Sequence, residues 1–143
     1  MQGMKRKIVY VSLYEGFAIV AATLGLAGMS GQGMQAAGIL AVATSAIAVV
    51  WNLVFNTLFE RWEARQPVRG RSFARRVAHA VGFEGGLTLI FVPLMAWWLD
   101  VTWLHALWMD LGLLLFFLVY TFVFNWAFDR VFGLPASALA AAA

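Results

Sequence analysis

The sequence predicts an all-α membrane protein: four transmembrane helices built from two tandem two-helix repeats in parallel orientation, with N and C termini cytoplasmic. Three observations lead there. Of 143 residues, 63% are hydrophobic and 12% charged, against roughly 25% charged in a soluble domain. The apolar residues gather in four runs, 8–28, 36–58, 77–99 and 103–128, each long enough at 1.5 Å per residue to cross a hydrocarbon core of about 30 Å. A shift of 69 positions lays the first two runs on the second two without a gap.

Taken in order, the first run follows Lys5, Arg6 and Lys7 and ends near Ala27 and Gly28, a pattern that a signal peptide shares. The same element recurs in mid-chain, so it is expected to be retained. The second run carries Thr44, Ala48, Asn52 and Asn56 at i+4 steps, a weakly polar stripe. In the third, Ala78, Gly82 and Gly86 form a small-residue ladder that lets a neighbouring helix approach, and Ser12 with Gly16 makes a shorter one on the first run. Pro93 removes a backbone bond to Leu89 and marks a candidate hinge. The fourth run aligns Asp110, Phe117, Thr121 and Asn125 along one side. The expected divisions are a first helix pair over 5–61, a basic loop over 62–73, a second pair over 74–132 and a flexible tail over 133–143.

Basic residues fix the orientation. Lys5, Arg6 and Lys7 precede the first run, and Arg61, Arg65, Arg69, Arg71, Arg75 and Arg76 fill the central loop, whereas residues 29–35 carry no charge and the turn at Asp100 no cation. The positive-inside bias therefore places both termini and the central loop in the cytoplasm, and Trp97, Trp98, Trp103 and Trp108 at the outer interface as an aromatic belt. The net charge of +3 fits a basic surface against anionic lipid, at about 1 kcal/mol per cation, and calls for no nucleic acid.

In the repeat register Glu15-Gly16 falls on Glu84-Gly85, Arg6 on Arg75, Phe55-Asn56 on Phe124-Asn125, Phe59 on Phe128, Trp51 on Tyr120 and Tyr10 on His79. Matches at polar and aromatic positions exceed what two apolar segments share by chance, so the chain reads as a tandem duplication. Two crossings per unit give both copies one orientation, related by a pseudo-twofold axis along the membrane normal. Glu15 and Glu84 are then expected to face each other at similar depth.

An ionised carboxylate in hydrocarbon costs about 2.5–3.5 kcal/mol on insertion scales, so Glu15, Glu84 and Asp110 are functional candidates. The plainer alternative is a neutral acid bonded to a neighbouring helix. Burial disfavours the charged form of a carboxyl, and two acids in one site titrate as a unit. Such a group can take up a proton and release it when a cation displaces it, which is the chemistry of a proton-coupled antiporter. Glu15 and Glu84 are the proton-coupling candidates, with Glu15, Asp110, Trp51, Asn52, Phe117, Tyr120 and Thr121 for cation binding, the aromatic faces through cation–π contact. Core packing explains those rings equally well. Asn56, Asn125, Gly82, Gly86, Pro93 and His79 are assigned structural or gating roles, His79 as an interface hydrogen bond. The chain has no cysteine, no metal-ligand spacing, no Gly-rich nucleotide loop and no nucleophile beside a base, so neither an enzyme nor a cofactor is expected.

The segments "YEGF", "WNLVFNTLFE", "RVAHAVGFEGG" and "YTFVFNWAFDRVF" resemble the four signature motifs of the bacterial transmembrane pair domains that make up the proteobacterial antimicrobial compound efflux family, the chlorhexidine exporters. The resemblance implies a four-helix inner-membrane protein that exports chlorhexidine-like biocides, quaternary ammonium compounds and acridine dyes, with short-chain diamines as physiological substrates, in exchange for protons. It puts the family's proton-linked glutamate on Glu15 and its fourth-helix aspartate on Asp110. Tyr10 stands where the family pattern favours histidine, while the second repeat keeps His79. Two rivals stay open: a small multidrug exporter of another lineage, and a membrane scaffold whose acids are structural. Four helices make a thin wall around a transport pathway, so a homodimer is expected.

Overall fold

The computed structural model describes residues 1–140 as four long helices, α1 (Gly3–Ser30), α2 (Met34–Ala64), α3 (Phe73–Leu99) and α4 (Trp103–Phe132), followed by a short α5 (Ala136–Ala140). Residues 141–143 of the expected flexible tail lie outside the described residues. The long helices outrun the apolar runs at the cytoplasmic end. α1 begins ahead of Lys5, α2 continues through Arg61 and Glu63, and α4 through Asp129 and Arg130. Hydropathy reports only the part in hydrocarbon; the helix itself continues into water until a breaker stops it.

The hairpin turns repeat in register. α1 stops at Gly31 (φ 73°) and α3 at its counterpart Asp100 (φ 52°), both left-handed, whose N–H groups donate to Ala27 O and Ala96 O. Aspartate is among the few non-glycine residues that tolerate this conformation. α2 and α4 then start at the counterparts Met34 and Trp103.

The buried core lies at the end holding these turns, with Leu26, Leu40, Met95, Leu99 and Met109 essentially inaccessible and Ala37, Ala41, Ala96 and Ala106 letting the backbones close around them. Side-chain to backbone bonds tie this outer end: Trp98 Nε1 donates to Ala36 O (2.9 Å), His105 Nε2 meets Met29 O (2.8 Å) and Gln32 Nε2 donates to Leu99 O (3.0 Å). The first two bonds join twofold-equivalent positions, 36 with 98 and 105 with 29, with the side-chain and backbone roles exchanged.

Toward the cytoplasm the same two pairs of helices are bonded again. α2 closes on α3, where Trp51 Nε1 donates to Phe83 O (3.0 Å) and His79 Nε2 meets Asn56 Oδ1 (2.7 Å). α1 closes on α4, where Tyr120 Oη donates to Tyr14 O (2.8 Å) and Tyr10 Oη to Asn125 Oδ1 (2.6 Å). Each of these two bonds in one seam is the 69-residue counterpart of one of the two in the other. Aromatic packing follows suit: the stacked pairs Phe55–Phe59 and His79–Phe83 correspond to Phe124–Phe128 and Tyr10–Tyr14. Arg6, ion-paired with Asp129 and bonded to Gly133 O, fastens the N-terminus to the end of α4.

The seams differ in closeness. On α3 the small-residue ladder packs within the chain: a Cβ at Gly82 would meet Phe55 Cζ at 3.0 Å, and one at Gly86 would overlap the Trp51 indole. Gly86→Ala is therefore expected to destabilise the protein by about 1–3 kcal/mol through overpacking, read as a lower unfolding midpoint in detergent. Gly85→Ala, which enters open space, should leave that midpoint unchanged.

Candidate functional site

The four helices leave a cavity of about 540 Å³ between them, with the buried core on its outer side. α1 contributes Tyr14, Glu15, Ala18, Ile19 and Ala22, and α3 contributes Phe83, Glu84, Leu87, Phe91 and Met95. α2 supplies Ala41, Thr44, Ser45, Ala48, Val49, Asn52 and Leu53, and α4 supplies Asp110, Leu113, Leu114 and Phe117.

The three acids of the spanning segments thus line one space. Glu15 Oε2 accepts a hydrogen bond from Ser45 Oγ at 2.6 Å, joining α1 to α2. Asp110, 8% exposed, accepts from Thr88 Oγ1 at 3.0 Å, joining α4 to α3. Each hydroxyl holds a carboxylate in one orientation while leaving it further acceptor capacity. Among the described residues no three His, Cys, Asp or Glu side chains converge tightly enough for a metal ion. Carboxylates within apolar walls suit an organic cation: its charge compensates an acid that would otherwise be costly to ionise, and its body replaces water against Ile19, Leu87 and Phe91.

Of the residues named from the sequence, Glu15, Glu84, Asp110, Asn52 and Phe117 line the cavity, and Trp51, Tyr120 and Thr121 do not. The indole of Trp51 fills the groove left by Gly86, and Tyr120 is engaged by the backbone of Tyr14. Thr121 Oγ1 bonds Tyr14 Oη (2.8 Å). Asp110 and Thr121 share a helical side, but the inner half of α4 leans on α1, so the stripe passes from cavity to seam. Asn56, Asn125 and His79 also lie in the seams, and Pro93 sits inside an unbroken α3.

Tyr14, Ser45 and Thr88 join the site beyond the residues expected from the sequence. The sequence did carry a signal for two of them: Ser45 has Leu114 as its repeat counterpart and Thr88 has Ile19, the same polar-for-apolar divergence as Asp110 against Ala41. In the seams the chemistry of a pair is exchangeable. Tyr10→Phe is expected to lose the Asn125 bond, at about 0.6–1.7 kcal/mol for a hydrogen bond between membrane helices. Tyr10→His should lose less, since His79 already reaches the equivalent Asn56; unfolding midpoints of the two variants in detergent compare them.

Two successive copies of one family model, the chlorhexidine efflux transporter, match residues 2–65 and 71–134, beginning 69 positions apart as the repeat and the paired seams do. The chain belongs to the chlorhexidine efflux transporter family. It is similar along most of its length to proteins named short-chain diamines transporter. One from Vibrio parahaemolyticus is 38% identical over 87% of this chain and 89% of the relative; one from Acinetobacter baumannii is 36% identical over 89% and 88%. A third, from Acinetobacter baylyi, is 32% identical over 89% of both. No solved structure matches the chain. Membership makes this chlorhexidine efflux family member a transporter rather than an enzyme, and a multi-pass protein of the bacterial inner membrane with four spanning helices. The scaffold reading and the exporter of another lineage are thereby set aside.

Proposed function

We propose that this transporter is a proton-coupled antiporter that exports cationic biocides (chlorhexidine-like compounds, quaternary ammonium compounds and acridine dyes) and short-chain diamines across the inner membrane. The observation that carries the reading is that Glu15, Glu84 and Asp110, from three helices, line a single apolar-walled cavity. A diamine or a bis-cation has two separated charges, and the cavity offers more than one carboxylate to receive them. The relatives' name, short-chain diamines transporter, supports the same class of substrate.

In this cycle the acids, with the cavity closed outward and open toward the cytoplasm, give up their protons as they bind the cation, and take protons again as the cation leaves once the cavity faces outward. Glu15 is the principal carrier. Its partner Ser45 keeps the carboxylate directed across the cavity in either protonation state, because a hydroxyl can donate to the anion or accept from the acid. A homodimer belongs to the same reading, and cross-linking in native membranes tests it. Tryptophan quenching tests the substrate class: chlorhexidine and a short-chain diamine should each bind saturably in detergent and compete with each other. Absence of saturable binding by both would defeat the proposal.

A further inference from the structure

We infer that the cavity has a side entrance from the inner leaflet, between α1 and the inner half of α2, through which amphiphilic organic cations reach Glu15. This deepens the antiporter reading and rests on it. The twofold symmetry of the bundle is broken here. The cavity residues of α2 continue past Ala48 to Val49, Asn52 and Leu53, whereas on α4 the lining ends at Phe117, the counterpart of Ala48. Leu118, Thr121 and Phe122, the counterparts of those three, do not line it.

The cause lies in the neighbouring seams. Tyr14 draws the inner half of α4 toward α1, its hydroxyl bonded to Thr121 and its carbonyl to Tyr120. α2 is drawn the other way, onto Gly82 and Gly86 of α3. Among the described residues, the last side-chain bond between α1 and α2 on the way to the cytoplasm is Ser45 to Glu15.

Val49 and Leu53 belong to the cavity lining and are 53% and 65% exposed, so the cavity wall here is open rather than packed over by a neighbouring helix. Counting back from Arg61 at 1.5 Å per residue, they stand about 12–18 Å into the membrane, within the inner leaflet. An amphiphilic cation dissolved there presents its apolar body to Val49 and Leu53, with Glu15 ahead of it as the first carboxylate. A short diamine, which stays in water, has no reason to use this route.

The test is transport in proteoliposomes of chlorhexidine and of a short-chain diamine, by wild type and by Val49→Trp, Leu53→Trp, Leu118→Trp and Phe122→Trp. Filling the entrance should slow chlorhexidine about tenfold more than the diamine in the two α2 variants, with the two α4 variants near wild type for both. Equal losses for both substrates, or equal losses on α2 and α4, would overturn the entrance. Undiminished chlorhexidine transport in both α2 variants overturns the entrance alone, and failure of the wild type to carry either cation overturns the antiporter reading with it. Should the tryptophans disturb folding, the chain's lack of cysteine allows a gentler measurement. A membrane-soluble maleimide should label Val49→Cys several-fold more slowly with saturating chlorhexidine and Leu118→Cys at an unchanged rate; equal protection at both would refute the entrance.

Discussion

Glu15→Gln will lose proton-driven export by about two orders of magnitude, the scale on which a positioned proton-transfer group contributes, while the folded protein is retained. Glutamine keeps the length of the side chain, and its carbonyl can still accept the bond that Ser45 Oγ now donates to Glu15 Oε2. Packing at this position is thus preserved and only the exchangeable proton is removed. Cation affinity should fall as well, because the substrate loses a charged partner in a largely apolar cavity, a loss of about 2–5 kcal/mol when one member of a desolvated pair is removed. Glu15→Asp keeps the proton and should restore part of the coupling. Transport driven by a pH gradient is the measurement, with detergent unfolding as the control. A Glu15→Gln protein that exports at the wild-type rate would move the coupling role away from this residue.

The helix pairs, their register and their orientation were legible in the sequence because each leaves a one-dimensional trace. Hydrocarbon demands about 20 apolar residues per crossing, cations mark the cytoplasmic side, and duplication repeats every polar landmark at one offset. The acids were legible for the same reason: three carboxylates stand alone among apolar neighbours. What the sequence did not reveal was which face of a helix each aromatic residue would serve. Trp51 and Tyr120 have the chemistry of cation ligands, yet both point into seams. Nothing at the level of residue type separates those uses, because a ring packs as well against glycine as against a cation. The decisive residues were the partners. Gly86 makes room for the Trp51 indole, whereas its counterpart Phe17 offers no such room to Tyr120, so the two halves of a duplicated chain close differently. Ser45 and Thr88 do not stand out by residue type, because a hydroxyl in a membrane helix is common; only the leucine or isoleucine at the same place in the other repeat distinguishes them.

The second large effect concerns charge balance. Moving one elementary charge through 100 mV is worth about 2.3 kcal/mol, which corresponds to about 50-fold in the concentration gradient a pump can sustain. Exporting a dication for one incoming proton carries net positive charge outward, against an inside-negative potential. Exchange for two protons carries none. Glu15, Glu84 and Asp110 line the cavity, enough for the second; in the proposed antiport Glu15 is one site and Glu84 or Asp110 the other. Wild-type export of a dication is therefore expected to consume two protons and to be indifferent to an imposed potential. Replacing the second carrier, by Glu84→Gln or by Asp110→Asn, should make the exchange one-for-one, so that an inside-negative potential now opposes it. The sign reverses for a monovalent quaternary ammonium ion: with two protons entering per turnover, its export carries positive charge inward and is speeded by the same potential. Proton-to-substrate ratios and potential dependence, measured in proteoliposomes for one dication and one monocation, decide the matter. One-for-one exchange of the dication by the wild type would leave Glu15 as a lone carrier and the other two acids as ligands of the second charge.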